Sequence, residues 1–247
     1  MSENVIPQGK VDEFIRRLRD EAGNNLHSVV LYGSAVAGGF DAQYSDLNLL
    51  CVLRDSSYTA LEDVSPAIAW WIKQNQRVPL IMVREELERS ADVFAIELLD
   101  ICAHYRVLYG DDVLKDLQVP LHLHRAQVEY ELREKLVLLR QRLLMSAGDE
   151  PRMWDLLVRS LPSFATLFRH TLIVMKENVS SSKRENVRLL GARIGFDCQV
   201  FDQLFDVREH KRETKDLDVR ETASRYLAAV EHVTAAVDKM LDSPQAI

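Results

Sequence analysis

The chain has 247 residues and a formal net charge of −7, with 31 Lys and Arg against 38 Asp and Glu. It is long enough for one large domain or two modest ones. The acidic balance argues against a general nucleic-acid binder, whose phosphate contacts need a basic surface. The start, MSENVIPQGK, has no apolar core, and no apolar run reaches the roughly 20 residues that cross a bilayer. Cys51, Cys102 and Cys198 lie far apart among apolar neighbours, as reduced core cysteines do. The expectation is a soluble cytoplasmic protein with no membrane association.

Val11, Phe14, Ile15 and Leu18 recur at helical spacing across residues 10–22, and Gly23 with Asn24 and Asn25 closes that helix. SVVLYG is β-branched and aromatic, and DLNLLCVL is apolar after its polar start; both read as central strands covered on two faces. Tyr58 to Gln74 is helical and carries Trp70 and Trp71, one expected in the core and the other partly exposed, since neighbours on a helix diverge by about 100°. VPLIMV is a third strand, with Pro79 marking an edge position or the strand's start. REELERSAD is a short charged turn or helix, with Glu85 and Glu86 in a solvated cluster. FAIELLDICAHYRVLYG reads as one or two further strands.

Beyond Pro120 the short apolar runs give way to long helical periods. Val128, Leu132, Leu136, Leu139 and Leu143 mark one long amphipathic helix, broken at Gly148–Pro151. A second spans about Trp154 to Lys176, with Pro162 expected to kink or break it. VSSSKRE leads into another helix capped by Ser182 or a neighbouring serine, and Ala223 to Met240 carries the last apolar stripe. The fold class is therefore α+β: a mixed sheet with flanking helices over residues 1–115, then an all-α helical bundle over 120–247.

The chemistry concentrates in SVVLYGSAVAGGFDAQYSDLNLLCVL, residues 28–53. It reads as a strand, a Gly33-Ser34 turn, a short helix, and a second strand with Asp46 and Asn48 near its start. Residues two apart on a strand point the same way, so Asp46 and Asn48 are expected to face one site beside the turn. The segment resembles the signature of the nucleotidyltransferase superfamily related to DNA polymerase beta, a Gly-Ser turn followed by Asp-x-Asp on a strand. The whole plan is similar to aminoglycoside nucleotidyltransferases. That resemblance implies phosphate contacts at Gly33 and Ser34, Mg²⁺ held by Asp46 with Asn48 at the second ligand position, and a bundle that contributes to the acceptor pocket. It implies ATP or another nucleoside triphosphate as partner and a hydroxyl of a small molecule or protein as acceptor. Two departures stand out. Asn48 replaces an aspartate, and a charge lost at about 4 Å is worth roughly 4 kcal/mol at an effective dielectric near 20, on the order of a thousandfold in rate. VPLIMV also lacks the third carboxylate of the matching enzymes; Glu97 is the substitute base considered, though a structural carboxylate is the plainer reading, and Asp100 cannot share its face on a regular strand. An inactive nucleotide sensor or partner-binding module is thus the alternative. Antitoxin-like nucleotidyltransferases share the short motif but lack such a bundle.

The remaining polar residues read more plainly. His122 and His124 are expected to be linker histidines. His104 and Tyr105 either line the cleft or pack in the core. Arg184, Arg188 and Arg193 read as a solvated helix face rather than a phosphate contact.

Overall fold

The run SVVLYG belongs to β1 (Leu26–Tyr32) and NLLCVL is β2 (Asn48–Leu53); they pair antiparallel at the centre of a four-stranded sheet. The computed structural model describes residues 7–37 and 47–240. The edge strands are β3 (Leu80–Val83), parallel to β2, and β4 (Tyr105–Gly110), antiparallel to β1, giving the order β3-β2-β1-β4. Pro79 lies just before edge strand β3, where its missing N–H costs no ladder bond. The parallel β2–β3 connection is made by a helix, α3 (Tyr58–Lys73).

Both central strands are buried on two faces, which explains their continuous apolar runs. Val29, Leu31, Leu49, Cys51 and Leu53 pack with Val11, Phe14 and Leu18 of α1 (Gln8–Ala22) and with Val64, Ala67 and Trp71 of α3. Val30, Leu50 and Val52 pack on the other face with Leu87 of α4 (Arg84–Arg89) and with Leu98 and Ile101 of α5 (Ala95–Ala103). Trp71 is fully buried against Phe14, ring centroids 4.7 Å apart, and its indole N–H donates to the Arg77 carbonyl at 2.9 Å. Trp70 is half-buried beneath the Arg17 guanidinium, as the helical geometry predicts.

One element departs from its sequence reading. FAIELLDICA forms helix α5, and within that run only Tyr105–Gly110 is strand. Ala95, Leu98 and Ile101 recur every three residues and turn one side of the helix into the core. A short run that is apolar nearly throughout has no period that separates the two states, and packing on the sheet decides.

The chain divides into two compact units, Met1–Leu121 and His122–Ile247. The second contains α6 (His124–Met145), α7 (Glu150–Val174), α8 (Lys183–Ile194), α9 (Gln199–Arg208) and α10 (Val219–Lys239). Helix α7 packs against the other four, and Phe164, Phe168, Phe201 and Tyr226 form an aromatic centre with centroid separations of 4.9 to 5.8 Å. Ser182 caps α8, its hydroxyl accepting from the Glu185 N–H at 3.3 Å. Helix α7 does not stop at Pro162. Proline removes the N–H that would have bonded the Val158 carbonyl, and Arg208 Nη1 donates to that carbonyl instead, at 3.4 Å. No helix among the described residues is long and apolar enough to cross a membrane.

Candidate nucleotide site

Strand β1 ends at Tyr32, and Gly33 follows with φ +80°, a conformation that glycine reaches without a Cβ penalty. The Gly33 N–H donates to the His104 carbonyl at 3.1 Å, which ties the turn to the start of β4. Its carbonyl accepts from the Val36 and Ala37 N–H groups, both at 3.0 Å, and so starts α2 (Ser34–Ala37). Ser34 is therefore the first residue of this short helix, and it is half-buried. Asn48 stands opposite Tyr32 in the ladder, and a Cβ built on Gly33 would lie 3.1 Å from the Asn48 Nδ2. The glycine turn and Asn48 are in contact range. Asp46, the metal ligand expected between them in the sequence, lies outside the described residues.

Asn48 shares its strand face with Leu50 and Val52, and the paired residues on β3 are Leu80 and Met82. An acid on that strand would sit here, and Leu80–Val83 holds none. Glu97 was expected on a strand; it stands instead in the first turn of α5, exposed, on the helix that covers the Asn48 face of the sheet. Its charge reaches Tyr32, whose phenol is raised above its ordinary value by burial first and by Glu97 next, with Arg77 opposing. Asp100, three residues on, shares a side of α5 with Glu97; the expectation that the two point apart belonged to a strand. Among the described residues no group of three or more His, Cys, Asp or Glu could hold a metal ion.

Residues 11–102 match the family model described as a nucleotidyltransferase domain. No curated protein matches the sequence. Among solved structures, spectinomycin adenyltransferase AAD(9) from Enterococcus faecialis, crystallised with ATP and spectinomycin, is similar with a TM-score of 0.55 and 16% identity. The similarity covers 92% of this chain and 98% of that one, and at this identity it is a likeness of fold.

The second, helical unit holds polar groups with no sequence signal. His122 is exposed, but His124 is not a linker residue: it opens α6 and is 1% exposed. Its Nε2 lies 2.9 Å from Nδ1 of the fully buried His170, whose Nε2 lies 3.1 Å from Arg169 Nη2. A guanidinium only donates, so His170 Nε2 accepts, its Nδ1 carries the proton, and His124 Nε2 accepts in turn. Burial first, and then the neighbouring His170, push His124 down to about 4. Lys183 begins α8; although much of its side chain is exposed, its ammonium donates to the Pro162 carbonyl at 3.3 Å. Desolvation, and then Arg208 and Arg169, lower it to about 8. The α8 arginines are engaged in ion pairs: Arg184 with Asp206 at 2.9 Å, Arg188 with Asp202 at 2.9 Å and Arg193 with Glu177 at 3.0 Å. They hold α8 to its neighbours, and this is why the solvated-face reading was incomplete.

Proposed function

We propose that the nucleotidyltransferase domain binds a nucleoside triphosphate, ATP in the first instance, at the Gly33–Ser34 turn and transfers its nucleoside monophosphate to a hydroxyl of a small molecule or a protein. The observation that carries this reading is the approach of Asn48 to the Gly33 turn, with 3.1 Å between the amide and a notional Cβ. It puts the turn and the second position of the Asp-x-Asn motif in one place. The choice of ATP draws support from the AAD(9) structure, which contains ATP. The free cysteines fit a reducing, cytoplasmic compartment.

The donor set of the described residues does not fit a two-metal centre. Asn48 offers an oxygen without charge and β3 offers no acid. In this reading Asp46 would supply the one carboxylate of the motif to a Mg²⁺ ion accompanying the triphosphate, and such an ion would supply neutralisation of part of the phosphate charge. The chain's own contribution is positional: the turn orients the phosphates, and Glu97 on α5 takes the acceptor proton. The same two departures favour a second reading, in which the site binds nucleotide without turnover and serves as a sensor or a partner-binding module.

Calorimetric titration of ATP with and without Mg²⁺, on the wild type, Asp46→Ala and Asn48→Asp, separates the possibilities. Metal-dependent binding that weakens in Asp46→Ala and tightens in Asn48→Asp is expected. Affinity indifferent to the metal and to both substitutions would remove the site. Pyrophosphate release with an added acceptor distinguishes the enzyme from the sensor.

A further inference from the structure

Helix α6 is apolar on two sides. Val128, Leu132, Leu136 and Leu139 are buried within the helical unit, while Tyr130, Val137, Leu138, Leu144 and Met145 stand on another side, 65%, 50%, 41%, 78% and 79% exposed. A groove on that side is lined by Tyr130, Arg133, Glu134, Val137, Leu138 and Gln141. Positions 130, 134, 137, 141 and 144 are spaced four, three, four and three, the repeat of a coiled-coil seam. Three of these five positions, Tyr130, Val137 and Leu144, are apolar, where an ordinary solvent-facing side of a helix would be mostly polar or charged.

We infer that this second face of α6 is the contact for another copy of the same chain, packed antiparallel about a two-fold axis near residue 139. The charge pattern selects both the occupant and the direction. A parallel pair would set Glu134 against Glu134 of the second copy, two like charges at the centre of the seam. The antiparallel pair sets Glu134 beside Leu144 and within reach of Arg140 of the second copy, and Gln141 opposite Val137, so each polar residue meets an apolar or cationic one. Arg133 and Arg140 already form the rim, each held at 2.7 Å by α10, by Asp238 and Glu231 respectively. The five exposed apolar side chains offer on the order of 500 Å² per copy, roughly 1,000 Å² in a pair, which meets the lower bound of a specific interface. This inference is independent of the nucleotide site.

Sedimentation equilibrium across the micromolar range is the test. The wild type is expected at twice the 28.3 kDa chain mass, and Val137→Glu with Leu144→Glu is expected to return it to the single-chain mass, with self-association weakened at least about tenfold. Both positions are exposed, so unchanged circular dichroism is expected of the double variant. A wild type that sediments as a single chain, or a double variant that pairs as well as the wild type, overturns the inference. Direction is read by disulfide formation, mapped by mass spectrometry. A mixture of the Val137→Cys and Gln141→Cys proteins is expected to cross-link between the two introduced cysteines, whereas cross-linking of each variant preferentially to itself would refute the antiparallel pair.

Discussion

Acid should loosen the helical unit through His124, and the size of the effect follows from its surroundings. The chain of donors runs from Arg169 through His170 to His124, and it requires an unprotonated His124 Nε2. Protonation would place N–H against N–H in a site that is 1% exposed. His124 is accordingly lowered from 6.5 to about 4. In the unfolded chain it takes up a proton near its ordinary value, so between these two values the unfolded state binds more protons than the folded one. Stability is then complete above about pH 6.5 and falls as the pH drops toward about 4. At 1.36 kcal/mol per unit the full difference is about 3 kcal/mol, of which about 2.5 is lost by about pH 4.5. Urea unfolding read by hydrogen exchange of α6 and α7 peptides, from about pH 7.5 to about pH 4.5, measures it in the helical unit alone. His124→Gln keeps an acceptor for the His170 N–H but does not titrate, and its stability should be flatter with pH by this amount. Equal slopes in the two proteins would refute the hydrogen-bond order deduced here.

At the candidate site, Gly33→Ala should cost roughly 1–2 kcal/mol from the positive φ, with the 3.1 Å approach to Asn48 adding to it. A melting temperature and an ATP affinity both equal to those of the wild type would show that the turn tolerates a side chain. Glu97→Gln should lower the Tyr32 phenol part of the way toward its ordinary value, leaving the shift due to burial. Ultraviolet difference titration of the variant against the wild type reads this, and superimposable curves would separate Glu97 from Tyr32.

Local chemistry was legible where the deciding partners lie a few residues apart. The uninterrupted apolar runs of β1 and β2 announced strands buried on both faces, Pro79 announced an edge, Ser182 announced a cap, and the Gly33-Ser34 turn with Asn48 shortly after it marked the candidate site. These features rest on backbone geometry and side-chain alternation, which leave a trace in the order of residues.

Other features came from contacts across long stretches of chain. Whether FAIELLDICA is helix or strand depends on the sheet face that it covers. Helix α7 continues through Pro162 with its freed carbonyl met by Arg208, fifty residues away. His124 is buried because His170, forty-six residues on, completes its hydrogen bond. Glu97 comes near Tyr32 only when α5 lies across the strands. The periodicity of a segment shows which of its faces is apolar; the identity of what lies against that face, and hence which polar group is desolvated or neutralised there, is set when distant segments pack together.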